Sequence, residues 1–113
     1  MNFPFPDICD AWGNPDLGEA FRKNPVSKIP TLFISGTLDV RTPAANAEEV
    51  RKGFKNSEHL IIDGAVHSDP LFLSSPKIKD VMLEFMKGGK VSTTNIALEP
   101  LKFVQIAPPR ATP

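Results

Sequence analysis

Thr31-Leu32-Phe33-Ile34-Ser35-Gly36-Thr37-Leu38-Asp39-Val40-Arg41-Thr42-Pro43 is the stretch that decides the fold of this chain. Residues 31–35 form an apolar run entered through Pro30 and left through Gly36. Too few polar residues interrupt the run for one face to lie in water. It therefore reads as a strand covered on both sides, as in a parallel α/β sheet. A loop over 36–43 follows. Thr42 is suited to cap a helix with Pro43 in its first position. Ala47, Val50 and Phe54 fall on one face of that helix. Glu48 and Lys52 are spaced to pair one turn apart, and Arg51, Lys52 and Lys55 suit the negative helix end.

Outward from this stretch the pattern repeats. Residues 58–62 read as a second strand ending at Asp63-Gly64. Residues 76–87 read as a second helix, opened by Pro76 and closed by Gly88-Gly89, with Ile78, Val81, Met82, Phe85 and Met86 as its apolar stripe. Strand, helix, strand, helix is a βαβα unit, whose strands should run parallel with a right-handed crossover. Two strands do not make a stable sheet alone. Further strands are expected from other sequence or from a partner.

The flanks read differently. Residues 1–28 are an irregular lead-in with one short helix: Asn14 can cap it, Pro15 can open it, and Leu17, Ala20 and Phe21 share a face before Asn24-Pro25. Phe3, Phe5 and Trp12 are expected to pack against the sheet or under a covering segment. Residues 29–89 carry the α/β unit. Residues 90–113 form a tail, extended or disordered, in which Leu98, Leu101, Phe103, Val104 and Ile106 can pack on the body. Pro108, Pro109 and Pro113 keep its end irregular.

Composition narrows the function classes. The 113 residues carry 13 basic and 13 acidic side chains, so no basic surplus points to nucleic acid. No apolar run approaches the roughly 20 residues of a membrane span, and Met1–Asp10 lacks the basic and apolar regions of a signal peptide. One cysteine, Cys9, allows no internal disulfide and no cysteine metal site. It reads either as a small buried hydrophobe or as a partner for a cysteine elsewhere, which would imply an oxidising compartment. No phosphate-binding glycine loop is present. The compartment is left open by these residues.

In open α/β sheets the chemistry lies on loops at the carboxyl ends of strands. Loop 36–43 offers Asp39 and loop 63–69 offers His67. Parallel strands bring both loops to one edge. A carboxylate bonded to one imidazole nitrogen fixes the tautomer and leaves the other nitrogen as a base. Asp63 and Asp69 flank His67 and are alternative carboxylates, but neighbours on one short loop reach the ring poorly, which favours Asp39. As bland alternatives, Asp39 is a turn residue and His67 a surface loop histidine. His59, inside the second strand, reads as structural, and Arg41 as solvated charge. Ser35 and Ser68 adjoin the loops, but neither is expected in a strained strand-to-helix elbow.

These residues resemble a family. Gly36-Thr-Leu-Asp39-Val-Arg-Thr-Pro43 and Gly64-Ala-Val-His67 are similar to the Gly-x-x-Asp-x-x-x-Pro and Gly-x-x-His segments that end an α/β hydrolase. The stretch Asp39–Glu48, with Cys9-Asp-Ala-Trp12 upstream, resembles the tripeptidyl-aminopeptidase-like and prolyl-aminopeptidase-like group, which is often secreted. The resemblance implies the fold class α/β, an incomplete C-terminal βαβα portion of an α/β-hydrolase sheet. It implies Asp39 as triad acid and His67 as triad base. It also implies a serine nucleophile in a Gly-x-Ser-x-Gly elbow preceding both. No such motif occurs in the 113 residues.

The expected function is thus the C-terminal part of a serine hydrolase cleaving amide or ester bonds, an aminopeptidase on short peptides by resemblance. Its substrate is a small peptide or ester, and no metal or cofactor is involved. Its partner is an N-terminal portion, or a second copy, covering the sheet edge. The rival is a non-catalytic remnant acting as a binding or interaction module. A complete small domain of flavodoxin-like type has no supporting motif.

Overall fold

The computed structural model describes residues 15–100, Lys102 and Phe103, with the side chains of Asp69 and Pro70 excepted. The readings made on Phe3, Phe5, Cys9, Trp12, Asn14, Leu101, Val104 and Ile106 lie outside these residues. Element order is α1 (Glu19–Arg22), β1 (Thr31–Gly36), α2 (Ala44–Arg51), β2 (Ser57–Asp63), α3 (Asp69–Leu73), α4 (Pro76–Gly88) and β3 (Asn95–Ala97).

The strands form one sheet of order β1-β2-β3. β1 and β2 are parallel, registered from Thr31 against Ser57 to Gly36 against Ile62. β3 adds in parallel to the other side of β2, with Ile62 opposite Ile96. The chain thus has the expected α/β unit and one strand more. The extra strand lies in the segment read as a tail. Its three residues are too few for a period-2 pattern to register, but Ile96 is only 5% exposed and Leu98 packs beside it.

Alternation along the strands divides the side chains between two faces. Leu32, Ile34, Leu60 and Ile62 belong to the core, with Ala65, Leu71, Ile96 and the α4 residues Ile78 and Val81. Leu60, Ile62 and Ile78 have no exposed surface. Each such side chain gains about 1.5–3 kcal/mol from leaving water. α4 is well specified: Ser75 caps it by accepting the Lys77 N–H, Pro76 sits in its first turn, and Gly89 closes it at φ 67. Met86, placed in the apolar stripe from sequence, is instead 79% exposed. The buried part of the stripe is therefore narrower, with Ile78 and Val81 at its centre.

The opposite face carries Phe33, Ser35 and His59. Phe54 meets Phe33 edge-on at 5.4 Å, but it lies beyond the end of α2 rather than on its apolar face. α2 has no buried residue. It is tied down by polar contact instead: Glu48 Oε1 lies 2.5 Å from His59 Nδ1, and His59 Nε2 lies 2.9 Å from Ser35 Oγ. The Glu48–Lys52 pair does not form. Glu48 is engaged by His59 and Arg51, while Lys52 bonds Glu49.

In the lead-in, α1 begins later than Pro15, because Gly18 at φ 78 interrupts the chain before Glu19. Leu17 and Phe21 are exposed, and so are Val26 and Ile29. Among the described residues no helix is long and apolar enough to cross a membrane.

Candidate functional site

The site forms where β1 and β2 end side by side. Gly36 is the close-approach point. A Cβ there would lie 2.3 Å from the Ala65 carbonyl oxygen, so only glycine lets the two loops touch. Backbone bonds then fasten them: Thr37 N–H to Ile62 O at 3.1 Å and Leu38 N–H to Ala65 O at 2.9 Å. The Thr37 hydroxyl donates to Asp63 Oδ1 and accepts the Gly64 N–H, both at 2.9 Å. Gly64 turns the second loop at φ 83, a left-handed conformation that suits glycine.

This clamp sets Asp39 against His67. Asp39 is 6% exposed. Its Oδ1 accepts the N–H groups of Arg41 and Thr42, each at 2.9 Å. Its Oδ2 accepts the Thr42 hydroxyl at 2.7 Å and lies 2.8 Å from His67 Nδ1. The Thr42 backbone N–H, helped by His67, the Thr42 hydroxyl and the Arg41 N–H, holds the Asp39 carboxyl well below the usual carboxylate range, against the opposing effect of burial. The carboxylate is ionised and can only accept. His67 Nδ1 must then carry the proton, and Nε2 is left with its lone pair.

Asp39 also behaves as a turn residue, since both Oδ1 bonds are to backbone two and three positions on. The two readings of this aspartate are compatible: the turn aims the carboxylate and the imidazole uses it. Asp63, the neighbouring alternative, is occupied by Thr37. The Asp69 side chain lies outside the described residues. His59 is 6% exposed and sits on the other face in its own contacts with Ser35 and Glu48.

Two features escaped the sequence reading. Thr42 is not a helix cap: Pro43 occupies the capping position of α2 with no side-chain bond. The Thr42 hydroxyl instead bonds Asp39 and lies 3.1 Å from His67 Nδ1. Its signal was the spacing from Asp39, since a hydroxyl three residues after a turn aspartate can reach that carboxylate. Ser68 was expected to be unstrained, but it stands between β2 and α3 at φ 66 and ψ −144, a conformation costly for a residue with a Cβ. Among the described residues its hydroxyl makes no bond to His67. Ser35, the other serine considered, is buried against His59.

An open groove bordered by Leu38, Asp63, Leu98 and Phe103 lies at the same carboxyl-end edge. Among the described residues no group of three or more His, Cys, Asp or Glu side chains can hold a metal ion.

Comparison with known proteins agrees with the motif resemblance. The α/β-hydrolase family model described as TAP-like protein matches residues 4–97, which includes both loops, β3 and the upstream Cys9–Trp12 segment. No curated protein and no solved structure gave a significant match. A match over most of its length makes this chain a member of the TAP-like protein family of α/β hydrolases.

Proposed function

We propose that the chain supplies the acid and base of a serine-hydrolase triad, with Asp39 as acid and His67 as base, for cleavage of amide or ester bonds in short peptides from the N-terminal end. The observation that carries the reading is the 2.8 Å contact between Asp39 Oδ2 and His67 Nδ1, made by a buried, ionised carboxylate. In this scheme His67 Nε2 takes the proton of a serine hydroxyl as the serine oxygen bonds to the substrate carbonyl carbon. The Nε2 proton then passes to the leaving amine or alkoxide as the scissile bond breaks. Water repeats both steps on the acyl-enzyme to release the acid. Asp39 stays ionised throughout and stabilises the imidazolium.

The serine and the oxyanion donors are assigned to polypeptide outside these 113 residues, because no Gly-x-Ser-x-Gly motif occurs in them. That polypeptide is also the proposed partner for the edge of β1, which pairs with β2 on one side only among the described residues. The test mixes the chain with a fragment bearing the serine elbow of a family member and follows release from a chromogenic tripeptide amide. His67→Ala should lower reconstituted activity by about 10³-fold or more. Unchanged activity in that variant overturns the reading.

The absent elbow motif also favours a second reading, a binding module that keeps the α/β unit without chemistry. It expects a tight complex with a sheet-edge partner and no hydrolysis with any complement.

A further inference from the structure

We propose that Thr42 is a positioning residue of this site, whose hydroxyl locks His67 in the Nδ1–H tautomer. The inference rests on reading Asp39 and His67 as acid and base. Three heavy atoms form a closed triangle: Thr42 Oγ1 is 2.7 Å from Asp39 Oδ2 and 3.1 Å from His67 Nδ1, and Oδ2 is 2.8 Å from Nδ1. Three contacts must share the available protons. The carboxylate has none to give. The hydroxyl has one, and it is drawn to Oδ2, the shortest contact and the one that bears charge.

With that proton directed at Oδ2, Thr42 Oγ1 turns lone pairs towards the ring. A 3.1 Å approach of Nδ1 is then favourable only if Nδ1 bears hydrogen, shared between Oδ2 and Oγ1. The opposite tautomer places the Nδ1 lone pair against the carboxylate. If the hydroxyl turned to satisfy that lone pair, Oδ2 would lose both side-chain donors in a nearly buried position, which is costly. Thr42 therefore adds a second penalty against the tautomer in which Nε2 cannot act as base. The backbone serves the same end. Thr42 N–H holds the other carboxylate oxygen, and Pro43, which follows at φ −53, keeps Thr42 out of α2.

Nitrogen-detected NMR of the histidine rings in this chain tests the proposal without any activity. In the wild type, neutral His67 should be almost wholly Nδ1–H, with a low-field Nδ1 proton showing a cross-peak to the Thr42 hydroxyl proton. Thr42→Val keeps the shape and removes the hydroxyl. The Nδ1–H to Nε2–H ratio should fall by roughly tenfold, the worth of one hydrogen bond, and Thr42→Ser should restore it. An unchanged ratio in Thr42→Val overturns the proposal. Should that variant not fold, absence of the hydroxyl cross-peak in the wild type overturns it equally. Asp39→Asn separates the two ideas. If it abolishes the low-field proton while Thr42→Val does not, the Asp–His pair stands and Thr42 is incidental. If neither variant moves it, the pair itself fails.

Discussion

Thr37 and Asp63 join the two loops through a side-chain bond between residues that follow neighbouring strands: Thr37 Oγ1 donates to Asp63 Oδ1 at 2.9 Å and takes the Gly64 N–H in return. Neither residue is hydrogen-bonded to His67, yet the distance between loops that they set is the distance across which Asp39 must reach it. The site thus depends on a support that contains none of its titrating groups.

That dependence makes Gly36 the sharpest structural test. Gly36→Ala would place a Cβ 2.3 Å from the Ala65 carbonyl oxygen, and backbone cannot yield cheaply. The loops should part, with a loss of about 2 kcal/mol or more in urea unfolding and disappearance of the low-field His67 Nδ1 proton. Gly88→Ala is the control. Nothing lies within 4 Å of its added Cβ at the end of α4, so stability should rise by up to about 1 kcal/mol. Equal effects of the two would refute the close-approach argument.

The contact of Glu48 with His59 gives the fold an acid limit. His59, and then Arg51, hold the Glu48 carboxyl below its ordinary value of 4.5. A depressed folded-state value means stability that is present above 4.5 and lost as pH falls through the lower folded value. Urea midpoints measured from about pH 6 down to pH 3 should decline more steeply for wild type than for Glu48→Gln. Parallel curves would show that the contact contributes nothing to linkage. Because half of the Glu48 side chain is exposed, salt should shrink the difference.

How much of this was legible in the sequence depended on the range of each interaction. β1, β2 and α4 announce themselves by apolar runs between prolines and glycines, and the parallel order puts Asp39 and His67 on one edge without further information. Glu48 was misread because a local rule offered Lys52, while its partner His59 is brought in from the next strand. Thr42 beside Pro43 carries a helix-start signal, and the competing claim of Asp39 on its hydroxyl exists only once the turn at 39–42 has formed. β3 owes its place to pairing with β2 rather than to any pattern of its own. Ser68 shows no local sign of strain, because its φ is imposed by the path from His67 into α3.

Ser68 yields a prediction of the opposite sign to most substitutions. At φ 66 and ψ −144 it occupies a region that glycine enters freely. Ser68→Gly should relieve backbone strain and raise stability by about 1 kcal/mol, less the entropy glycine costs in the unfolded chain. Thermal unfolding measures it. A loss of stability would mean that the serine side chain makes contacts worth more than the strain.

Asp39→Asn isolates charge and tautomer from shape. The asparagine oxygen can still accept the Arg41 and Thr42 N–H groups that Oδ1 holds now. Its amide nitrogen then faces Thr42 Oγ1 and His67 Nδ1, where Oδ2 stands. An N–H donor at that place favours an unprotonated Nδ1, so the proton moves to Nε2 and the base is lost at neutral pH. The fold should survive with a lower unfolding midpoint near pH 7, because the depressed Asp39 carboxyl contributes stability there that asparagine lacks, while reconstituted hydrolysis falls by about 10⁴-fold. Raising the pH should recover part of the rate, as hydroxide takes over the proton transfer. A variant that retained activity at neutral pH would show that the Asp39 carboxylate does not orient the ring, and His67 would need another partner.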